Sequence, residues 1–495
     1  MLYLGVDLGT SSMKVLLVDQ TGKVCKTASR SYPLEFPQPG WSQQNPDDWW
    51  NALCQCIPEL LDGEDASQIA GLAVGGQMHG LVVLDENDAV IRPAILWNDG
   101  RTAKETEKLN NDFGKERLLS LTGNIAFAGF TAPKLLWMKE HEPQLFSRIR
   151  KIMLPKDYLV YRLTGVHSCD LSDASGMLLL DVKNRCWSQE MLRYCGISEE
   201  QMPRLYESYE PVGTVLPPIA ASLGLSPDTV VAAGAGDNAA SAVGTQTVGD
   251  CACNISLGTS GTVFISSKEF RLPPEGNLHA FAHADGSYHL MGCILSAASA
   301  YGWWSRDILR ADSDTQEQDG IHDDQLGRNP VFFLPYLMGE RSPHNDPSAR
   351  GAFLGMSMDT SRAQMTQAVM EGVAFAIRDS VEIARSLGIQ VTSSGLCGGG
   401  AKSLLWRKIM ANVLNMEIQV PLLEEGAGYG AAVLAMVACH AFDSVQQACE
   451  KLHSERTIYQ PDPLIAARYE ERYQVFRTLY PTLRNLYPAL SPAAL

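Results

Sequence analysis

Two aspartates sit where a carboxylate is costly unless it has a partner. Asp7 lies in the apolar run Leu4-Gly5-Val6-Asp7-Leu8, just before Gly9-Thr10-Ser11-Ser12. An unpartnered charge there would lose solvation, and a hydrated Mg2+ beside a phosphate is a natural partner. Thr10, Ser11 and Ser12 offer hydroxyls and backbone N–H groups to an anion at that turn. An ordinary hairpin, with Asp7 bonding its own turn, fits the same residues. Asp237 ends the apolar stretch Val230 to Gly236 and opens the helical-looking Ala239 to Val243. Asp at such a junction is a favoured N-cap. It is also placed to accept a hydroxyl proton late in a phosphoryl transfer, with the helix terminus keeping it ionised. The base is the favoured role, with Asn238 beside it to position the hydroxyl's owner.

Two further clusters join them. Gly75-Gly76-Gln77-Met78-His79-Gly80 follows the buried strand pattern Ile69 to Val74. Open α/β sheets bind ligands at strand ends of this kind. Between glycines, His79 can bond a sugar hydroxyl and Met78 can pack on a carbon skeleton, although a lone His is more often structural. Cys397-Gly398-Gly399-Gly400-Ala401-Lys402-Ser403 ends another strand pattern, with Ser403 as N-cap of the helix carrying Leu405, Trp406 and Ile409. A glycine loop at a helix N-terminus suits a nucleotide, but it also fits a plain turn. Neither G-x-G-x-x-G nor G-x-x-x-x-G-K-[ST] occurs here.

The elements that must position these residues repeat. Leu4 to Asp19 reads as strand, tight turn, strand, with Gly9 free to take positive φ. Leu8-Gly9-Thr10-Ser11 recurs as Leu257-Gly258-Thr259-Ser260, before another β-rich run. Self-similarity of this kind predicts two lobes on one plan. The second copy carries Ser256 where the first has Asp7, so only the first brings a carboxylate for a metal.

Helices are expected from Pro46, capped by Asn45, with Trp49, Leu53, Cys56 and Leu60 inward. That makes Trp49 and Trp50 core anchors rather than a sugar platform. Others are expected from Thr131 and over Ala363 to Leu387. Gly426 to Gly430 leads into the small-residue helix Ala431 to Cys439, where close packing is expected. Leu154 to Tyr158 and Asp170 to Gly176 read as loops, with Asp170, Asp173 and Ser175 in turn and cap roles. Asp99 and Arg101 read as a salt bridge or a site wall, and Glu340 and Arg341 as pairing with neighbours. Tyr469 to Tyr487 reads as a surface cap.

At 495 residues two large domains are the default, here 1–245 and 246–495. A formal charge of −16 argues against nucleic-acid or anionic-membrane partners. No signal peptide and no membrane-spanning run is evident; Ala431 to Phe442 is short and broken by His440. The 12 cysteines are scattered without zinc spacing, which fits a reducing cytoplasm.

Together, the Asp-x-Gly-Thr hairpin, the later Gly-Thr-Ser hairpin and the Gly-Gly-Gly-Ala loop resemble the actin/hexokinase/Hsp70 superfamily. Within it, Thr131 to Trp137 resembles one signature of the FGGY carbohydrate kinases. Gly399 to Ser403, Trp406, Ile409, Ala411 and Pro421 resemble the other; Asn412 departs from its frequent Asp. The resemblance implies an α/β, two-lobed actin-like (ribonuclease H-like) ATPase fold with an interlobe cleft. It implies sugar and Mg2+ sites in the first lobe, and a nucleotide-binding second lobe with a helical C-terminal cap.

By that resemblance Asp237 is the catalytic base, and Met78, His79, Asp237 and Asn238 contact the sugar. Asp7 orders Mg2+ through water. Thr10, Ser11 and Lys14 approach the γ-phosphate of ATP, Gly258 and Thr259 its β/γ region, and Gly399, Gly400 and Ala401 the adenosine. Gly76 to Gly80, Leu96 to Arg101 and Gly236 to Asn238 are similar to the branch that phosphorylates D-xylulose at O5. Ribulose, gluconate or a deoxyhexulose are the alternative sugars, and a non-catalytic ATP- or sugar-binding regulator is the alternative class. A homodimer is compatible with the resemblance.

Overall fold

A computed structural model describes residues 1–313, 315–421, 426–452 and 455–490. The first sheet follows from the opening hairpin. Leu2–Leu8 pairs antiparallel with Ser12–Asp19, which pairs antiparallel with Val24–Ser31. On its other edge Leu2–Leu8 runs parallel to Ile69–Gly76, which runs parallel to Val230–Ala232. Pro211–Thr214 closes that edge antiparallel. Val6, Leu8, Val15 and Leu17 lie on the inward face and are fully buried.

The second sheet repeats the plan. Cys253–Leu257 pairs antiparallel with Gly261–Ser267 and parallel with Ser393–Cys397. Tyr288–Ile294 and His279–Ala282 extend the antiparallel side. Glu417–Pro421 and then Arg456–Tyr459 extend the other. The repeated hairpin thus marks two sheets of one order, each with the parallel pairing beside its first strand. The result is a two-lobed, actin-like fold.

The helices obey the predicted pattern with shifts in detail. Pro46–Leu61 starts from an Asn45 cap that accepts the Asp47 N–H, and Trp49 is completely buried. Arg362–Ser386 packs on the second sheet. Pro463–Leu483 turns Tyr469, Tyr473 and Phe476 into the second core rather than lying as a surface cap.

Gly9 is needed for a different reason than expected. Its φ is not positive; instead a Cβ there would stand 2.9 Å from the Ser12 carbonyl oxygen. The small-residue helix starts earlier than predicted, at Ala427, and ends at Ala438. It packs on Leu2–Leu8 and Ile69–Gly76 of the first sheet and on the helix Asp237–Gly244. Approach is so close that a Cβ on Gly430 would lie 1.8 Å from the Ala240 carbonyl oxygen. A late segment of the chain therefore completes the core of the first lobe.

The stretch predicted as a loop at Leu154 to Tyr158 is the start of a helix, Pro155–Thr164, with proline at its first turn. The Asp170 stretch is also not a simple turn. Asp170 does cap Leu171–Ala174 by accepting the Ser172 N–H. But Asp157, Asp170 and Asp173 are all buried around Lys156, with its Nζ 2.8 Å from Asp170. Fixing one cation among three carboxylates needs every partner held in place.

Candidate active site

The backbone at His79 bends because its φ is +69°. Two side chains of the helix Thr131–His141 hold that bend. Thr131 Oγ1 and Lys134 Nζ both donate to the His79 carbonyl oxygen, at 3.1 and 2.7 Å. Lys134, itself fully buried, also donates to the Gly129 carbonyl. The imidazole then stacks on Phe130, centroids 4.6 Å apart. Its Nδ1 meets the Gly176 carbonyl at 2.8 Å, which requires Nδ1 to carry a proton. Burial, then the charge of Lys134, pushes the imidazole pKa down to about 3. His79 is therefore a neutral group whose other nitrogen is left to accept.

Asp237 is the first residue of the helix Asp237–Gly244, following the short strand Ala235–Gly236 that pairs with Gly75 and Gly76. It is not the cap: Gly236 occupies that position, and no side chain caps the helix. Asp237 Oδ1 accepts the Asn238 N–H at 2.8 Å. The helix terminus was expected to keep this carboxyl ionised; burial outweighs it. Burial, then the like charge of Asp7, raises its pKa to about 7.

Met78, His79, Asp237 and Asn238 line one cavity of about 200 Å3, together with Trp97, Phe130, Ser260, Met291 and Arg341. The walls come from both lobes. A second cavity of about 260 Å3 adjoins it across Asn238, Thr262 and Met291, and reaches Ser256, Cys397 and Gly426. Arg341 does not pair with a described acidic group as expected; it faces the first cavity and lies over the Phe127 ring. Its neighbour Glu340 accepts the Leu295 and Arg341 N–H groups. Asp99 and Arg101 form a salt bridge at 2.8 Å with both side chains buried, so the pair braces the wall behind Trp97.

The turns expected to meet phosphates border the same space. Thr10 Oγ1 accepts the Trp97 indole N–H at 3.0 Å, joining the first turn to the cavity wall. Gln44 and Tyr32 hold the Thr10 and Gly9 carbonyls. Lys14 is the cross-strand partner of Asp7. In the second lobe the Gly258 and Thr259 carbonyls are tied to Ala298 and Ala297. The glycine loop packs directly on this turn. Gly398 has φ +86°, and its Cβ would lie 2.8 Å from the Leu257 carbonyl oxygen. Space around Gly399 is open, whereas Gly400 and Ala401 are buried beside Trp406 and Gly398.

Asp7 tests whether a metal fits. Its carboxyl is half-buried and accepts no hydrogen bond from a described residue. Burial raises its pKa, against the pull of Lys14. A half-buried carboxylate with no described hydrogen-bond donor, close enough to Asp237 for the two charges to repel, is a donor that a hard divalent cation would satisfy.

Sequence reasoning missed Phe130, Met291, Ser260 and the part played by Lys134. No local signal marks Phe130 or Met291, because each reaches the cavity from a different element; Ser260 lies in the repeated Leu-Gly-Thr-Ser turn, but that repeat does not reveal that it faces this cavity. Lys134 carried a signal: a lysine in the apolar turn Thr131 to Leu136.

A two-lobed, actin-like fold with a cavity between its lobes lined by Asp237 is the architecture of a class of small-molecule kinases. Residues 2–244 match the N-terminal domain, and residues 253–439 the C-terminal domain, of the FGGY family of carbohydrate kinases. The chain belongs to that family and phosphorylates a sugar with ATP. It is 40% identical to a xylulose kinase of Escherichia coli (strain K12), over 98% of this chain and 100% of that one. The crystal structure of a xyloylose kinase from Brucella ovis superposes with a TM-score of 0.93 at 41% identity, covering 98% of this chain and 100% of that one. A gluconate kinase from Lactobacillus acidophilus also gives 0.93, at 26% identity over 99% of each chain. Among the described residues no helix is long and apolar enough to cross a membrane.

Proposed function

We propose that the protein transfers the γ-phosphoryl group of Mg-ATP to O5 of D-xylulose, giving D-xylulose 5-phosphate and ADP. The observation that carries this reading is the single cavity shared by Met78, His79, Asp237 and Asn238, with the Thr10 turn at its wall. The 40% identity to the Escherichia coli xylulose kinase supports the choice of sugar.

In this reading Met78 packs on the carbon chain while neutral His79 accepts from a sugar hydroxyl. Asp237 and Asn238 bracket O5. As the O5–phosphorus bond forms and the bond to the ADP oxygen breaks, Asp237 accepts the O5 proton. A loose transition state needs little basicity, so a carboxylate of this kind suffices. Thr10, Ser11 and Lys14 approach the γ-phosphate, Gly258 and Thr259 the β/γ region, and Gly399, Gly400 and Ala401 the adenosine. Asp7 would hold Mg2+ through water, and the ion when bound supplies charge neutralisation to the phosphates. The lobes divide near residue 245, with Ala427–Ala438 returning to the first, and their closure over both substrates keeps water from the phosphoryl group.

One observation favours a second reading, a sugar acid such as gluconate. Arg341 faces the cavity without a described carboxylate partner, as a guanidinium waiting for a substrate carboxylate would. ADP release measured with D-xylulose, D-ribulose, L-ribulose, gluconate and glycerol separates the two. D-xylulose should give by far the highest kcat/KM; a gluconate preference would discard the pentulose assignment.

A further inference from the structure

Away from the cleft, a carboxylate is buried with no hydrogen-bond partner. Glu105, on the short helix Ala103–Lys108, is 1% exposed, yet neither of its carboxylate oxygens has a hydrogen bond. A bare buried carboxylate is expensive. What faces it is the C-terminal end of the helix Thr131–His141. His141 Nε2 lies 3.7 Å from Glu105, too far for a hydrogen bond. One donor atom each from Glu105, Glu140 and His141 lie within 4.8 Å of one another. The His141 ring is held against Trp137, centroids 5.1 Å apart.

We propose that Glu105, Glu140 and His141 form a site for a borderline-soft divalent cation, Zn2+, apart from the cation of the reaction. One imidazole and two carboxylates are zinc ligands, with water completing a tetrahedron. An imidazole is a poor choice for Mg2+, which favours all-oxygen sets. The donors need to close by about 1 Å to bind at the usual distances of roughly 2 Å. Glu140 and His141 are half-exposed and have room to do so. The rival for Glu140 is Lys108, whose Nζ is 2.7 Å away at the surface, with Lys104 also nearby. Exposed ion pairs are weak, so a cation with three ligands displaces Lys108. A simple Glu105–His141 ion pair explains less, since it leaves the second Glu105 oxygen bare.

The bound ion would fasten the Ala103–Lys108 helix to the end of the helix whose first turn holds His79. The test is zinc binding to the full-length protein in excess Mg2+, by competition with a chromogenic chelator. The wild type is compared with Glu105→Gln and with His141→Ala. His141 is half-exposed, so its variant keeps the fold even if the buried change does not. The expected result is one zinc site lost or weakened about tenfold or more in each variant, since even outer-shell changes cost that much. Zinc should also slow amide exchange over Ala103–Lys108 in the wild type and not in His141→Ala. Zinc held by cysteines would be the same in all three proteins. Equal stoichiometry and affinity in wild type and His141→Ala, or no zinc bound by the wild type, would overturn the proposal.

Discussion

The indole of Trp97 donates to the hydroxyl of Thr10 across 3.0 Å, which ties the cavity wall to the turn proposed to meet the γ-phosphate. With its lone pair engaged, the Thr10 hydroxyl has its own proton to offer outward. Trp97→Phe keeps the ring and removes the bond, whose net worth is about 1 kcal/mol. We expect kcat to fall by about three- to tenfold with the sugar Kd unchanged. Steady-state rates and calorimetry check this. A changed Kd with an unchanged kcat would assign Trp97 to sugar packing alone.

His79 enters the account as a neutral acceptor, because burial and Lys134 push its pKa to about 3. His79→Ala should raise the sugar KM by about tenfold, the value of one or two buried hydrogen bonds. The ratio of wild-type to variant KM should be flat from about pH 5 to 8, the range where an ordinary imidazole titrates. A ratio that changes across that range would mean that the imidazole titrates when the site is empty.

Asp237 carries a stability signature with a definite sign. Its folded-state pKa of about 7 lies above the ordinary 3.8. The protonated form therefore stabilises the fold fully at low pH, and that contribution is lost as pH rises through about 7. Asp237→Asn, neutral at every pH, should melt higher than wild type above that pH. Three pKa units would correspond to about 4 kcal/mol, and the cavity's solvent reduces it. The gain should fade as the pH approaches 3.8. Thermal unfolding across this range tests it; a gain largest in acid would reverse the sign and refute the burial argument.

Much of this was legible in advance, for physical reasons that differ by residue. The repeated Leu-Gly-Thr-Ser hairpin announced two sheets because its alternation and tight turn are local properties. Asp7 and Asp237 stood out because a carboxylate is conspicuous in an apolar run. Arg341 and Phe130 were not legible as cavity walls, since tertiary folding alone brings them to Met78. Pro155 looked like a loop residue, although proline fits the first turn of a helix. The burial of Asp170 and Asp173 depends on Lys156 arriving from another element, and the raised pKa of Asp237 on its burial first and then on the proximity of Asp7.

The Lys156 cluster gives the next expectation. Lys156→Met leaves Asp157, Asp170 and Asp173 buried with no cation among them. Breaking a buried pair costs about 3–5 kcal/mol. Ser172 Oγ donates to Asp170 and accepts the Gly236 N–H at 3.2 Å, so slack here reaches Asp237. We expect a large fall in denaturation midpoint and a lower kcat in the folded fraction. Unchanged stability would mean the carboxylates share protons and need no lysine.

Gly430 tests the close crossing of the two helices. A Cβ there would stand 1.8 Å from the Ala240 carbonyl, which is backbone and cannot swing aside. Gly430→Ala should cost about 1–3 kcal/mol or more by overpacking. Because Ala240 lies on the Asp237 helix, sugar binding should weaken with it. Chemical denaturation and sugar calorimetry on the same variant check both effects.

The most direct test of the account is Asp237→Ala, with sugar binding and phosphoryl transfer measured separately. D-xylulose should still bind, because Met78, His79 and Asn238 are untouched, while sugar-dependent ADP release falls by about 10²–10⁴-fold, the usual worth of a positioned base. Transfer retained at the wild-type rate would contradict the assignment of Asp237 as the group that takes the proton.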